Sequence, residues 1–443
     1  MPAAFLNGVS PIDRLISTRP PRERAVLVSA PTRETSQLEA DEHLQELIRL
    51  TDTAGASVEG TLRQRLEAPH PKFYIGEGKV TELRELNQRC SADLVIFDGD
   101  LTPAQGKNLE DALGTRIMDR TELILDIFAT RARTAEAKMQ VELAQLQYML
   151  PRLKRMWTHL SRIRGGIGFR GPGETQLETD RRLISRRIRD LQGKLEVVAR
   201  QRATQRKGRV DELRAALVGY TNAGKSSILR TLSGADVFVE DRLFATLDPA
   251  TRLVDLGPVG RALVTDTVGF IRKLPHHLVA SFRATLEEAV EADLLLHVID
   301  GSQPGWEEQK SAVEEVLQGL GLEGRRTVLV FNKRDRLTHQ EESELRTRVP
   351  TLWDTRAVFV SAVEEGGLDE LLDLLRHEVR ARRPQVRVAI PLSDGEALAT
   401  LYREGEVLGR EQNGATIDLV VRLPVATLGR LKRREGVVVT EAA

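Results

Sequence analysis

One stretch of the chain decides the fold: Gly219-Tyr220-Thr221-Asn222-Ala223-Gly224-Lys225-Ser226. It follows the largely apolar run 213–218 and fits the phosphate-binding loop pattern G-x-x-x-x-G-K-[ST], which stands between a strand and a helix. In such a loop the backbone N–H groups close around phosphates, the lysine meets the β/γ oxygens, and the hydroxyl contacts Mg²⁺. The sequence therefore predicts a nucleoside triphosphate site.

A guanine-binding motif follows further along the chain. Asn332-Lys333-Arg334-Asp335 comes directly after the β-branched run 327–331. A carboxylate such as that of Asp335 can accept from both N1–H and the 2-amino group of guanine, a pair of donors that adenine lacks. Two more motifs end predicted strands: Asp266-Thr267-Val268-Gly269 and Ser361-Ala362. Four motifs at four strand ends predict a guanine nucleotide site.

These motifs resemble the Ras-like superfamily of P-loop GTPases, and the match covers residues 213–378. The resemblance implies hydrolysis of GTP to GDP and phosphate, with Lys225, Thr246 and Gly269 as catalytic residues. Ser226 and Thr246 would ligate Mg²⁺, with Asp266 acting through water, and residues 332–335 with 361–362 would form the base pocket. The nucleotide-contacting positions that it implies are Gly219, Tyr220, Thr221, Asn222, Ala223, Gly224, Lys225, Ser226, Ser227, Phe244, Ala245, Thr246, Leu247, Asp248, Asp266, Thr267, Val268, Gly269, Asn332, Lys333, Arg334, Asp335, Ser361 and Ala362.

Two positions near the predicted γ-phosphate leave alternatives open. Thr246 resembles the switch I threonine that completes the Mg²⁺ shell when GTP is bound, and Thr251 is the competing candidate. Phe270 stands where many relatives carry a glutamine, and its ring cannot hydrogen-bond the attacking water. We therefore expect slow intrinsic hydrolysis. Asn222 resembles the asparagine that holds K⁺ in potassium-dependent GTPases, and it can equally be only a turn residue.

A basic helical hairpin precedes the phosphate loop. Residues 164–182 contain a glycine-rich loop that separates two helical patterns, the first from about residue 132 and the second reaching about residue 198. Residues 131–210 hold 20 Lys+Arg against 7 Asp+Glu, a local net charge of +13 in a chain whose total is zero. Such segregation indicates a surface for a polyanion, although a solvated helix face is the alternative. Trp157 and Phe169 could stack on unpaired RNA bases, and packing is the alternative for Trp157.

The loop narrows the resemblance from superfamily to family. Residues 165–178, together with 219–227, 244–249 and the amino-terminal run 74–80, resemble the HflX family of ribosome-associated GTPases. The resemblance spans about residues 25–376, with Ala250 in place of an expected threonine. It implies that the chain binds the large ribosomal subunit and its rRNA and splits or remodels stalled or idle ribosomes. A regulatory GTP/GDP switch that acts on a protein partner is the alternative function.

The whole chain is predicted to be an α/β protein with a P-loop GTPase domain at residues 211–383. A small α/β domain at residues 1–130 and the long helical hairpin at 131–210 precede it, and a small α+β domain at 384–443 follows it. Cys90 is the single cysteine, which excludes an intrachain disulfide and fits a reducing compartment. Residues 1–15 lack a signal pattern, and no apolar run is long enough to span a membrane. We therefore expect a cytoplasmic location, and we separately expect a monomer.

Overall fold

The computed structural model describes residues 22–153, 174–206, 212–234, 242–273, 288–353 and 355–441, and it divides into two compact units at Leu123 and Ile124. Several predicted features lie outside these residues: the stretch 1–15, Trp157 and most of the glycine-rich loop with Phe169. In the described parts of the chain, no helix has the length and apolar content needed to cross a bilayer.

The first unit contains a four-stranded parallel sheet in the order β2-β1-β3-β4. Its central strands read as continuous apolar runs because both faces of a parallel sheet are covered by helices. The elements are β1 (Arg24–Ser29), α1 (Gln37–Ala54), β2 (Ser57–Arg63), α2 (Glu77–Cys90), β3 (Leu94–Phe97), α3 (Pro103–Leu113), β4 (Arg116–Asp119) and α4 (Arg120–Arg131), the last of which begins in this unit. The small α/β domain is confirmed.

Two helices of the second unit form the described part of the basic segment: α5 (Ala135–Met149) and α6 (Glu174–Arg206). They pack side by side, with Leu191 of α6 fully buried and Arg187 of α6 bonded by two nitrogens to the Glu142 carboxylate of α5. Helix α5 ends before Pro151, which cannot donate to a helical hydrogen bond, and a short 3₁₀ turn, Leu150–Arg152, follows it.

A six-stranded sheet forms the centre of the second unit, in the order β10-β9-β8-β5-β7-β6. All neighbours are parallel except β6, which runs antiparallel to β7 at the edge. The elements are β5 (Leu213–Gly219), α7 (Lys225–Ser233), β6 (Ala250–Asp255), β7 (Arg261–Asp266), β8 (Leu294–Asp300), α8 (Trp306–Gly319), β9 (Thr327–Asn332), α9 (His339–Leu352), β10 (Ala357–Phe359) and α10 (Asp369–Arg382). Because β5, β7, β9 and β10 are parallel, the four predicted motifs meet at one edge of the sheet.

The chain then forms an antiparallel sheet with two helices, ordered β12-β13-β11-β14. Alternate residues of β11 and β13 are buried in its own apolar core, which is why these strands show a clear period of two. The elements are β11 (Gln385–Pro391), α11 (Gly395–Glu404), β12 (Glu406–Asn413), β13 (Thr416–Arg422), α12 (Val425–Leu431) and β14 (Val438–Glu441). This confirms the α+β prediction for the end of the chain.

Candidate nucleotide site

The phosphate loop joins β5 to α7 and depends on glycine at Gly224. This residue has φ +96°, a conformation that side-chain-bearing residues rarely adopt. A Cβ there would lie 2.1 Å from Nδ2 of Asn332, so the loop approaches the guanine motif too closely for any side chain. Gly269 meets the loop in the same way, since its Cβ would lie 2.8 Å from Cα of Thr221. Glycine at both positions therefore lets three of the predicted motifs meet.

Lys225 is the first residue of α7, and its side chain folds back over the loop. The ammonium donates to the carbonyl oxygens of Gly219 at 3.0 Å and Tyr220 at 2.8 Å. Burial lowers the pKa of Lys225 to about 8, and the carboxylate of Asp266 acts in the opposite direction. A cation buried in this way is suited to an anionic ligand that approaches the loop.

Three oxygen-bearing side chains converge beside the lysine. Oγ of Ser226 donates to Oδ2 of Asp266 at 2.6 Å and lies 2.7 Å from Oγ1 of Thr246. Oδ1 of Asp266 is buried and has no hydrogen-bond partner among the residues that the structure describes, and burial raises the pKa of this carboxyl. Two hydroxyls and a carboxylate with an unpartnered oxygen are the hard ligands that Mg²⁺ prefers. These residues therefore fit the metal that the motifs imply.

The structure separates the two candidates for the switch I threonine. Thr246 contacts Ser226, whereas the Thr251 hydroxyl lies 2.9 Å from that of Thr265, across the β6–β7 pair. The two residues next to Thr246 in the sequence have different environments. Ala245 lines the cavity above the phosphate loop, while Leu247 is 2% exposed and packs in the interior.

The guanine motif is braced against the phosphate loop by two of its side chains. Nδ2 of Asn332 donates to the carbonyl of Ala223 at 2.9 Å, and Oδ1 of Asn332 accepts from the N–H of Ala362 at 3.3 Å. Nζ of Lys333 donates to the carbonyl of Asn222 at 2.9 Å. These bonds fix the three loops, which carry Ala223, Asn332 and Ala362, relative to one another.

Asp335 lines the cavity and is held by Ser361. The hydroxyl of Ser361 donates to Oδ1 of Asp335 at 2.6 Å, and both residues follow the ends of neighbouring strands β9 and β10. Arg334, between the two key positions of the motif, instead forms an ion pair with Glu364. This arrangement leaves the aspartate carboxylate at the wall of the cavity with its orientation fixed.

Asp300 forms an ion pair with Lys333 of the site and is absent from the predicted set. Its Oδ2 lies 2.7 Å from Nζ of Lys333, and its Oδ1 accepts from the N–H and hydroxyl of Ser302. Asp300 ends β8, the strand between β5 and β9. Its position at a parallel strand end was the signal that could have identified it.

Two residues with open interpretations have definite environments. The ring of Phe270 is 2% exposed, and its backbone pairs with the loop through Gly219 and Thr221. Phe270 is thus a packing residue that does not line the cavity. Asn222 has φ +62°, the left-handed conformation typical of asparagine in turns. This favours the turn interpretation for its backbone and leaves its predicted role toward K⁺ a prediction.

The phosphate loop, the segment around Thr246 and the guanine motif line one cavity of about 290 Å³. The predicted positions that do not line its wall are Gly219, Tyr220, Ala223, Leu247, Asp248, Asp266, Val268, Arg334 and Ser361. Arg242, Arg336 and Val363 line it and were not predicted. The wall consists of Thr221, Asn222, Gly224, Lys225, Ser226, Ser227, Arg242, Phe244, Ala245, Thr246, Thr267, Gly269, Asn332, Lys333, Asp335, Arg336, Ala362 and Val363.

Three family models match consecutive parts of the chain. Residues 41–129 match the model described as GTP-binding GTPase N-terminal, and residues 131–209 match GTP-binding GTPase Middle Region. Residues 214–333 match the model described as 50S ribosome-binding GTPase. A solved GTP-binding protein from Sulfolobus solfataricus, in complex with GDP, is 25% identical, with 81% of this chain and 99% of that chain covered and a TM-score of 0.43.

Curated relatives match over nearly the whole chain. GTPase HflX of Magnetococcus marinus is 46% identical, covering 96% of this chain and 98% of the relative. GTPase HflX of Escherichia coli is 43% identical, covering 93% of this chain and 96% of the relative. GTPase HflX of Caldanaerobacter subterraneus is 47% identical, covering 87% and 88%.

The six-stranded sheet, with the phosphate loop and the guanine motif at one edge, defines a P-loop GTPase. The chain belongs to the HflX family of ribosome-associated GTPases, because its identity to curated members extends over almost its full length. It therefore hydrolyses GTP, as the motifs predicted.

Proposed function

We propose that this GTPase binds the large ribosomal subunit and uses GTP to split or remodel stalled or idle ribosomes, acting as a monomer in the cytoplasm. The family model that covers residues 214–333 is described as ribosome-binding, which supports the partner. The net charge of +13 over residues 131–210 supports rRNA as the surface that is contacted.

The observation that carries the proposal is the set of arginines on α6. Arg181, Arg186 and Arg189 are exposed along this helix. Arg187 has a different task, because its bidentate bond to Glu142 joins α6 to α5. A helix fixed to its neighbour presents its remaining guanidinium groups from a rigid base, which lowers the entropy cost of contacting phosphates.

For hydrolysis we propose in-line attack of water on the γ-phosphate, promoted by positioning and charge. Lys225 contacts the β/γ oxygens, the N–H of Gly269 meets the γ-phosphate, and Asp335 selects guanine. Ser226 and Thr246 would hold Mg²⁺, with Asp266 acting through water. The metal, when bound, neutralises phosphate charge.

Phe270 explains why a partner is part of the proposal. Its ring is packed in the interior, so this position provides no group that orients water. We propose that contact with the ribosome supplies or orders the missing group, and that K⁺ held near Asn222 is a second source of positive charge. Both ideas predict that the isolated chain hydrolyses GTP slowly.

The decisive test compares GTP hydrolysis by the full chain with and without purified large subunits, in potassium and in sodium buffer. Strong stimulation by the subunits is expected, and a higher rate in potassium would support the role of Asn222. Absence of stimulation in both buffers would contradict the ribosome proposal and favour a regulatory switch that acts on a protein partner.

Replacing Arg181, Arg186 and Arg189 together with alanine should weaken binding to large subunits and flatten its dependence on salt. Each lost phosphate contact lowers the slope of log affinity against log salt by about 0.7–0.9, so a decrease of about 2–3 is expected. Sedimentation with subunits over a series of KCl concentrations measures this slope, while nucleotide affinity should not change.

Arg187→Ala is the matched control, since it removes one arginine from the same helix. Loss of the Glu142 bond should destabilise the helix pair, which thermal unfolding reports, but it should change the salt slope by less than one contact. An unchanged slope in the triple variant would place the rRNA contacts outside this face of α6.

A further inference from the structure

The carboxylate of Asp248, two residues beyond the switch I threonine, bonds to the start of helix α5. Oδ2 of Asp248 accepts from the N–H groups of Arg133 at 3.1 Å and Thr134 at 3.3 Å. Oδ1 of Asp248 accepts from the Thr134 hydroxyl. The resemblance had implied a nucleotide contact for this aspartate, and the structure gives it a partner outside the six-stranded sheet.

Thr134 is also the N-cap of α5. Its Oγ1 accepts from the N–H of Ala137 at 3.1 Å, so the hydroxyl satisfies the first turn of the helix while it donates to Asp248. A carboxylate near a helix N-terminus is stabilised by the unpaired N–H groups there. The first turn of α5 and the carboxylate of Asp248 therefore stabilise each other.

A second contact ties the other side of switch I to the same helical region. Phe244 is 2% exposed, and its ring meets that of Phe128 in α4 edge to face, with centroids 4.7 Å apart. Phe244 also has φ +54°, a conformation that a bulky residue keeps only when its surroundings hold it. Packing against Phe128 is one such restraint.

Thr246 lies between these two anchors. Two residues of chain span at most about 7 Å, so fixing Phe244 on one side and Asp248 on the other leaves Thr246 little freedom. In this arrangement Oγ1 of Thr246 lies 2.7 Å from Oγ of Ser226, the proposed metal ligand of the phosphate loop. The junction of α4 and α5 therefore influences whether Thr246 can reach the nucleotide site.

We propose that Thr134 and Phe128 are positioning residues for switch I, which hold Thr246 at the Mg²⁺ site and couple the bound nucleotide to the first turn of α5. The coupling is reciprocal: a ligand that needs Thr246 in place strengthens the Asp248–Thr134 junction by the same free energy that the junction adds to its binding. The inference rests on the proposed role of Thr246 and is independent of the ribosome.

The first test compares affinities of the full chain for a non-hydrolysable GTP analogue and for GDP. Thr134→Val removes the hydroxyl with little change of shape and should weaken analogue binding about tenfold, as expected for a hydrogen bond to a charged group, with GDP affinity unchanged. Thr134→Ser keeps the hydroxyl and should restore the wild-type ratio of the two affinities.

Thr102→Val is the matched control. Thr102 caps α3 through the same kind of bond, with Gln105 N–H donating to its Oγ1 at 3.2 Å, and it lies in the first unit of the chain. Loss of this cap should lower the free energy of unfolding without changing the ratio of the affinities for the GTP analogue and GDP. An unchanged ratio in Thr134→Val, or an equal change in Thr102→Val, would overturn the proposal.

The main comparison of the second test is between two nucleotide states of the wild-type chain, so it does not depend on a variant that folds. Amide hydrogen exchange at residues 133–137 should be slower with the GTP analogue than with GDP, and Asp248→Ala should abolish the difference. Equal exchange in the two nucleotide states would refute the coupling. Because neither test contains ribosomes, failure of the proposed ribosomal function would not affect the outcome.

Discussion

Replacing Lys225 with alanine is expected to lower the rate of GTP hydrolysis by roughly 10²–10³-fold, the usual effect of removing one pre-organised group that stabilises transition-state charge. The ammonium is buried over the phosphate loop and bonded to two of its carbonyls. It is therefore already in place before the nucleotide arrives. Phosphate release in single-turnover experiments at saturating GTP measures the effect on chemistry apart from binding.

A second buried lysine of the same sheet domain provides the control. Lys310 on α8 is 4% exposed, lies over the ring of Trp353 and bonds to Glu314 at 2.6 Å. It does not line the nucleotide cavity. Lys310→Ala should lower thermal stability but leave hydrolysis unchanged. Undiminished hydrolysis in Lys225→Ala, or equal losses in the two variants, would remove Lys225 from the catalytic role.

The edge of the six-stranded sheet could be predicted because each motif ends a strand whose pattern is easily recognised. The runs that lead to Gly219 and Asn332 are apolar and almost wholly buried, as parallel strands covered on both faces must be. Parallel strands carry their carboxyl ends to one edge, so strand type and motif order were enough to bring the loops together.

Two edge strands have only weak strand patterns in the sequence, for identifiable reasons. Strand β2 lies at a sheet edge and is mostly exposed or half-buried, so its apolar period is weak. Strand β12 is also an edge strand, and its register with β13 shifts between Val407 and Gly409. Such a shift breaks the period of two on which strand prediction depends.

The contact between Asp248 and Thr134 could not be predicted from the sequence for another reason. The two residues are 114 positions apart, and the only role that the sequence indicated for Asp248 was a nucleotide contact. Thr134 is the N-cap of α5, a local contact that gives no sign of a distant partner. Only the fold shows that a single hydrogen bond joins them. Asp300 is only partly similar, because its position at a strand end was a signal in the sequence, whereas its ion pair with Lys333 is visible only in the fold.

Asp335→Asn is expected to weaken GTP binding about 100-fold or more, and to relax the preference for guanine over other bases. The carboxylate can accept from two donors of guanine, whereas an amide offers one oxygen and turns an N–H₂ group toward the second donor. A donor left unmet at a buried site costs most of the discrimination. Titration with GTP and ATP measures both the loss and the change in preference.

The same variant can be tested for binding of a different nucleotide, xanthosine triphosphate. Xanthine carries a carbonyl oxygen where guanine has its 2-amino group, so the side-chain amide that Asp335→Asn introduces would complement xanthosine triphosphate with one donor and one acceptor. The Ser361 hydroxyl, which now donates to Asp335 at 2.6 Å, can also accept and so tolerates either end of the amide. Binding of xanthosine triphosphate, together with weakened binding of GTP, would show that the side chain at position 335 contacts the base and selects it. A loss for both nucleotides together would mean that Asp335 maintains the loop structure, and guanine selection would then have to come from another part of the wall.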